Sequence, residues 1–486
     1  MLIFFSSSPY RTKLAGLAVA GALVTALGGC ASVPEMGSRA IAKDISSYAS
    51  SKSMPVTGVL TAWPADQWWS AYGDAQLDQL MLEALAGAPS LAAAQARLVR
   101  AQAVAQQRNA ALRPEVSGNA SVQATKQSYN NGVPAEFVPR NYNVAASATL
   151  DFSYEIDFWG KNRAALAAAT SDVEAARADA AQARMTLATS VAAAYAELQR
   201  LFTQRDTDEA SLKVRRDSLE LLEERRVNGL ETRAAVQQLL ARRAKAEADL
   251  LATAESIDLQ RHKLAVLVGA GPDRGLALQR PTIDLSRPVK LPDQVPVNLL
   301  GRRPDVVAAR LRAEAAAQQI KVAHAAFYPN ANLKASFGFQ SLGMNMLTSN
   351  GSDIGSFGPA ISLPIFNASR LQGQYRSAGA SYDEAVADYN SAVTQALQDV
   401  ADVATSEKAL AGRLAKLGEA ADAAREAYRI VNERYKGGLS TYLDVLGAQD
   451  TLLSSLQELT TLQSRMFALD VAMVRALGGG YQAASL

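Results

Sequence analysis

Two different periods of apolar residues alternate along this chain. Residues 161–228 contain neither glycine nor proline, and neither do residues 230–268. Within the first run, apolar and small residues recur every three or four positions: Ala169, Val173, Ala176, Ala180, Ala183, Leu187, Val191, Ala194 and Leu198. That is coiled-coil spacing with a stutter, and it predicts a helix with a packed seam. The pattern returns at 367–436 and 439–477, with Ala378, Tyr382, Ala385, Tyr389, Ala392 and Ala396 on the seam. A helix of such length would extend about 100 Å at 1.5 Å per residue. Charges occur all along these runs, so the helices are expected in water and not in lipid. Their seams are mostly alanine, which admits close neighbours.

Between a short and a long helix of each half, the period drops from 3.6 to 2. Residues 116–125 alternate, and Val144, Ala146, Ala148, Leu150, Phe152 and Tyr154 share one face of the next such stretch. The second half gives Leu333, Ala335, Phe337 and Phe339, then Phe357, Ile361, Leu363 and Ile365, with Pro359 and Pro364 interrupting the last set. Strands are predicted at 115–125, 143–156, 331–341 and 356–366, joined by polar loops 127–141 and 341–355. Strands of about ten residues with one apolar and one polar face suit a membrane β-barrel. Four cannot close one, and an open edge in lipid leaves backbone groups unpaired. A barrel shared between chains is therefore expected. Two chains would give eight strands and a filled interior, whereas three would give twelve and a lumen.

The chain is also written twice. Pro89 and Pro114 are spaced as Pro304 and Pro329 are, and Ala110-Ala111-Leu112-Arg113-Pro114 resembles Ala325-Ala326-Phe327-Tyr328-Pro329. Asn228-Gly229-Leu230-Glu231-Thr232 corresponds to Gly437-Gly438-Leu439-Ser440-Thr441. Two copies are too few for a solenoid. A tandem duplication is expected, with a first repeat at 63–285, a second at 286–480, a linker at 30–62 and a tail at 481–486.

Composition narrows the chemistry. With 49 Lys and Arg against 47 Asp and Glu, the charge is too balanced for a nucleic-acid binder. The two histidines, His262 and His324, fall in helical runs and are expected to be packing or surface residues. A single cysteine excludes an intrachain disulfide, and with two histidines it makes a metal cluster implausible. There is no Gly-x-x-x-x-Gly-Lys loop. Gly269-Ala270-Gly271-Pro272 follows a helix end and reads as a turn. No enzyme and no cofactor is expected, and without a nucleotide site the protein is expected to be a passive conduit.

That lone cysteine ends a recognisable segment. Arg11 and Lys13 precede an uncharged run from Leu14 to Gly29, which is too short to span a bilayer as a helix, and Cys30 follows. This resembles a bacterial lipoprotein signal, with 1–29 removed and Cys30 acylated. Loss of Arg11 and Lys13 takes the positive charges from 49 to 47, equal to the 47 acidic residues. The resemblance further implies, from Ala31 after the cysteine, sorting to the outer membrane.

The whole mature chain resembles the outer membrane factors, the TolC/NodT-type lipoproteins of tripartite efflux systems. The likeness rests on Trp68-Trp69 with Asp74-x-x-Leu77, the Ala-Ala-x-x-Pro before each first strand, Phe158-Trp159-Gly160, Arg434-Tyr435-x-x-Gly438 and Ala476-Leu477-Gly478-Gly479-Gly480. It implies a fold that is mainly α with a small β part: a homotrimer with a 12-stranded transmembrane barrel, continuing into a long periplasmic α-helical barrel girdled by a mixed α/β equatorial belt. It implies an exit duct for drugs or other small toxic compounds, lipid-anchored in the outer membrane and extending into the periplasm. Its implied partners are a periplasmic adaptor (membrane fusion) protein and an inner-membrane transporter of the RND type. The turns at Gly229-Leu230 and Gly438-Leu439-Ser440 become adaptor-docking tips, and Tyr435, Leu443 and Asp444 a periplasmic gate. Relatives carry acids at the positions of Asp444 and Gly447, an aspartate partner for the tyrosine at Ala235, and an arginine at Ser440. The present chain keeps only Asp444, so a looser resting gate is expected. A channel for type I protein secretion and a non-conducting coiled-coil scaffold are the alternatives.

Metabolic labelling with palmitate tests the amino-terminal reading. Cys30→Ala protein is expected to carry no label; label retained on it would overturn the assignment.

Overall fold

The computed structural model describes residues 33–49, 52–53, 63–283 and 300–482. The signal segment 1–29 and Cys30 lie outside the described residues. The first half forms α1 (Ala75–Gly87), α2 (Pro89–Ala110), strands β1 (Glu115–Thr125) and β2 (Asn143–Ile156), the long α3 (Lys161–Val227), α4 (Arg233–Leu267) and a single turn, α5 (Pro272–Leu276). The second half forms α6 (Pro304–Ala325), β3 (Asn330–Leu342), β4 (Asp353–Ser362), the long α7 (Ala368–Lys436) and α8 (Tyr442–Ala476). The protein is thus mostly helical, with one antiparallel sheet in the order β1-β2-β3-β4.

Two compact units draw on both halves of the sequence. One takes residues up to Ile41 with Val99–Glu174 and Arg310–Asp388; the other takes Ala42–Leu98, Ala175–Ala309 and Tyr389 onward. The first holds the sheet and the second most of the helical core.

The long helices run where glycine and proline are absent or sparse, and they stop where glycine allows a left-handed turn. Beyond α4, Gly269 N–H donates to the Val266 carbonyl and Ala270 N–H to that of Ala265. Beyond α8, Gly478 and Gly479 make the corresponding bonds to Arg475 and Val474. This is the Schellman closure, which satisfies carbonyls that a helix end leaves open.

The seam expected on α3 is buried at Val173, Leu187, Val191, Ala194 and Leu198 and half-buried at Ala176, Ala180 and Ala183. A single seam is nevertheless too little. Ala188, Ala192, Tyr195 and Phe202 are buried as well, because Leu77, Leu80 and Met81 of α1, Ile257 and Leu264 of α4, and Phe467 and Val471 of α8 join the same core. Each fully buried side chain of this size contributes about 1.5–3 kcal/mol. On α7 between Gly412 and Lys436 burial is sparse. There Lys416–Glu419, Arg425–Asp422, Arg429–Glu426 and Lys436–Glu433 pair along the helix surface. Such exposed pairs are worth only about 0.2–0.5 kcal/mol each.

The fourth strand lies earlier than the sequence pattern suggests. It starts at Asp353 and ends at Ser362, leaving Leu363 and Ile365 outside the sheet. Its partner sets the limit, since Ser362 pairs with Asn330, the first residue of β3, and Pro329 comes before it. Pro359 lies inside β4, opposite Leu333. The strand is an edge, so the missing N–H can fall on its unpaired side.

Asp74 fastens the helical unit. Its carboxylate accepts from the N–H groups of Gln76 (2.9 Å) and Leu77 (3.1 Å), capping α1. It also accepts from the Tyr195 hydroxyl (3.0 Å) and from Thr282 N–H (2.8 Å). Burial by itself would raise this carboxyl; its hydrogen bonds with Thr282, Leu77 and Tyr195 hold it below the ordinary value. Arg303 is a second fastener, 5% exposed. It donates to Asp305 next to it and, at 2.7 Å, to Asp399 of α7.

Asp74→Ala is expected to cost roughly 3 kcal/mol, since it removes the hydrogen bonds to Gln76, Leu77, Tyr195 and Thr282 and strands the buried Leu77 N–H and Tyr195 hydroxyl. A carboxyl lowered by folding contributes stability above its unfolded value of about 3.9, and that stability disappears as pH falls through the folded value. Thermal unfolding of wild type and Asp74→Ala in detergent should therefore differ at pH 7 and converge at low pH. Equal stability at pH 7 would refute this role.

Candidate functional site

The first candidate surface is the sheet. Directly paired residues share a face, so the register decides what each face presents. Val116 pairs with Phe152, Val122 with Ala146, Leu150 with Phe337, and Ala335 with Phe357. One face is therefore apolar across all four strands. Val116, Leu150, Phe337, Phe357 and Ile361 are each more than half exposed on it. On the opposite face the Asp151 carboxylate accepts from Asn119 (2.7 Å), Thr149 (2.9 Å) and Ser336 (2.6 Å), and Ser121 bonds Ser147 at 2.8 Å. Side chains from β1, β2 and β3 thus form one polar network. β1 and β4 are open edges of this sheet. Among the described residues no helix is long and apolar enough to cross a membrane.

The second candidate surface lies at the ends of the long helices. After α3, Gly229 takes φ +73°; after α7, Gly438 takes φ +76°. Both turns make the same pair of bonds, Gly229 N–H to Arg226 and Leu230 N–H to Arg225, then Gly438 N–H to Tyr435 and Leu439 N–H to Arg434. A side chain at either glycine would strain a left-handed backbone. In such closures the residue after the glycine usually packs on an apolar residue of the last turn. Here that residue is Arg225 or Arg434, and Leu230 and Leu439 stay 64% and 72% exposed. The Ser440 hydroxyl donates to the Val431 carbonyl at 3.3 Å.

The gate residues identified from the sequence do not share one environment. Leu443 and Asp444 are exposed on the first turn of α8. The Asp444 carboxylate accepts from both the N–H (2.9 Å) and the hydroxyl (2.8 Å) of Thr441, closing a capping box at the helix start. Those bonds hold it below the ordinary carboxylate value. Tyr435, in contrast, is 1% exposed. It packs among Leu222, Leu239, Val445 and Leu446, with Tyr442 at 5.4 Å between ring centres and the Arg225 guanidinium 4.6 Å over its ring.

The Tyr435 hydroxyl donates to Glu231 at 3.0 Å. This corrects the expectation that replacement by Ala235 leaves the tyrosine without an acidic partner. The acid stands four residues earlier, on the first tip turn. The sequence held a signal: Glu231 is aligned with Ser440, one of the two positions, with Asn228 and Gly437, at which the tip words differ. Burial first, then the bond to Glu231, pushes the Tyr435 hydroxyl well above its ordinary value, so it remains a donor. Asp450 of α8 adds a further link, taking Arg215 of α3 (3.4 Å) and Arg242 of α4. His324 packs beside Tyr328 and Tyr375, with ring centres at 5.4 and 5.9 Å.

The paired hairpins, the two equivalent tips and the amphipathic sheet agree with what comparison finds. The family model described as outer membrane efflux protein matches the chain twice, over residues 80–270 and 295–479. The chain belongs to that family. It is 30% identical to the multidrug resistance outer membrane protein MdtP of Escherichia coli K12, over 87% of this chain and 88% of that protein. It is 36% identical to the fusaric acid resistance protein FusA of Burkholderia cepacia, over 65% of this chain and 60% of FusA. Among solved structures, the outer membrane protein VceC of Vibrio cholerae superposes with a TM-score of 0.81 at 47% identity, covering 86% of this chain and all of VceC. The family is one of outer-membrane channels, not of enzymes.

Tyr435→Phe should cost about 1 kcal/mol, because the ring contacts persist and only the bond to Glu231 is lost. Tyr435→Ala should cost about 3–5 kcal/mol through the cavity it leaves. Denaturant unfolding in detergent separates the two; equal losses would mean that the ring does not pack here.

Proposed function

We propose that this chain is the outer-membrane exit duct of a tripartite efflux pump, a passive homotrimeric conduit for drugs or other small toxic compounds. The observation that carries this reading is the sheet: apolar and exposed on one face, hydrogen-bonded and polar on the other, and open at both edges. In hydrocarbon those edges must be paired. Three copies would supply twelve strands, with the apolar face toward lipid and the Asp151 network toward a wet lumen. The two repeats, 63–285 and 286–480, would each contribute one hairpin to this barrel and one helical hairpin to a periplasmic α-barrel.

In this reading Gly229, Leu230, Gly438, Leu439 and Ser440 are the surface on which a periplasmic adaptor docks. Leucines exposed on turns that normally cover them support it. The adaptor would link the duct to an inner-membrane transporter of the RND type. Asp444 would meet its copies around a threefold axis, with Leu443 beside it, while Tyr435 holds the tip hairpins together through Glu231. Cys30 would carry the lipid anchor. The names of MdtP and FusA, both resistance proteins, favour small-molecule efflux over protein secretion.

Planar bilayer recording tests the duct and its mouth together. The purified protein is expected to conduct, and absence of conductance would favour a scaffold. Trivalent cations added at the periplasmic side are expected to block wild type and to block Asp444→Asn less, because three like carboxylates attract a multivalent cation. Identical block in both would remove Asp444 from the mouth.

A further inference from the structure

At the foot of the sheet, where the strands meet the helices, an aromatic platform faces outward. Phe158 and Trp159 are 64% and 52% exposed, and Phe366 is 98% exposed. Trp159 is nevertheless fixed. Its ring stacks on Tyr328 at 4.5 Å, and its Nε1–H donates to the Pro329 carbonyl at 2.8 Å. Beside it lies a half-open pocket of about 320 Å³, where Phe158, Trp159 and Tyr328 form an apolar side and Glu155, Asp157 and Lys161 a charged one. A fixed indole with exposed phenylalanines at the same end of an amphipathic sheet suits an apolar chain.

The amino-terminal segment approaches the same place. Val33 and Met36 pack against the core of Phe327, Leu371 and Tyr375, against which Tyr328 also packs. A few residues on, Arg39 Nη1 donates to Asp383 of α7 at 2.8 Å, and Ala40 N–H donates to the same carboxylate at 2.9 Å. The segment crosses α7 at Gly379. A Cβ there would lie 2.6 Å from Arg39 Nη1 and 2.8 Å from Met36 Sδ. The ends of those side chains could yield to one methyl group, but Arg39 is tied to Asp383, so a longer side chain would lift the segment. A glycine inside a helix weakens it; at Gly379 the missing side chain is the seat of the segment.

We propose that residues 33–40 are a strap seated on Gly379 and held by Asp383, and that the strap delivers the acyl chains of Cys30 to the aromatic platform of Phe158, Trp159 and Phe366. This rests on the reading of Cys30 as lipidated. The length of chain supports it: Cys30 stands three residues before Val33, within about 11 Å of it even fully extended. An acyl chain gains with each methylene withdrawn from water. The ligand class is therefore the protein's own diacylglyceryl and amide-linked fatty acyl groups.

Cells growing on a diazirine-bearing palmitate analogue and expressing the full chain are irradiated, and the cross-linked peptides of the protein are mapped. In wild type the acylated Cys30 peptide is expected to be joined to peptides carrying Phe158–Trp159 or Phe366. Gly379→Gln is expected to keep its acylation and lose these cross-links. Gly412→Gln, in the same helix with nothing within 4 Å of the added Cβ, is expected to keep both. Cross-links from wild-type Cys30 to phospholipid alone would overturn the platform. Cross-links that persist in Gly379→Gln, or that vanish equally in Gly412→Gln, would overturn the seat. An unlabelled Cys30 in the wild type would overturn the lipoprotein reading itself, and the strap's cargo with it.

Discussion

An N–H or carbonyl left unpaired in hydrocarbon costs several kcal/mol, and this sheet has two edges lined with such groups. Among the described residues the outer edges of β1 and β4 have no strand beside them. The apolar face rules out the usual remedy of turning the sheet to water, and the polar face rules out burying both sides in lipid. The remaining solution is to continue the ladder with another copy. The proposed trimer, with its lumen and conduit role, is one way of meeting that requirement, so the proposed function is in the first place a statement about backbone hydrogen bonds.

Stability is unevenly spread along the helices. Around Asp74 and Tyr195, side chains from α1, α3, α4 and α8 bury one another completely, and each contributes on the order of kcal/mol. Toward the tips such side chains are fewer: one cluster around Tyr435, an Asp450 carboxylate shared by two arginines, and exposed ion pairs worth tenths. Elements that rearrange are drawn from the weakly held part of a structure. The exposed turns beyond the Tyr435 cluster can therefore move at lower cost than the core around Asp74.

Much of this was legible in the sequence. Period-2 runs located three strands almost to the residue, and runs free of glycine and proline marked α3 and α4. What escaped was set by partners distant in sequence. The limits of β4 depend on where β3 begins after Pro329. The second buried stripe of α3 exists because α1 and α4 cover it together. Glu231 reaches Tyr435 across 204 positions. The seat at Gly379 is intelligible only once Arg39 and Met36 are seen where a Cβ would go. The tips were easier, since a Schellman turn is a local device and glycine announces it.

The open edges of β1 and β4 also bear on inheritance. A chain whose edge strand cannot pair is not merely inactive, because it can still join at its other edge and spoil the ring it enters. In the proposed threefold ring the sound fraction would fall as the cube of the sound-subunit fraction, so an equal mixture of sound and faulty subunits would leave about one ring in eight intact. Lesions in β1 or β4 should therefore behave as dominant alleles in a cell carrying two gene copies, whereas a chain that never folds should be recessive.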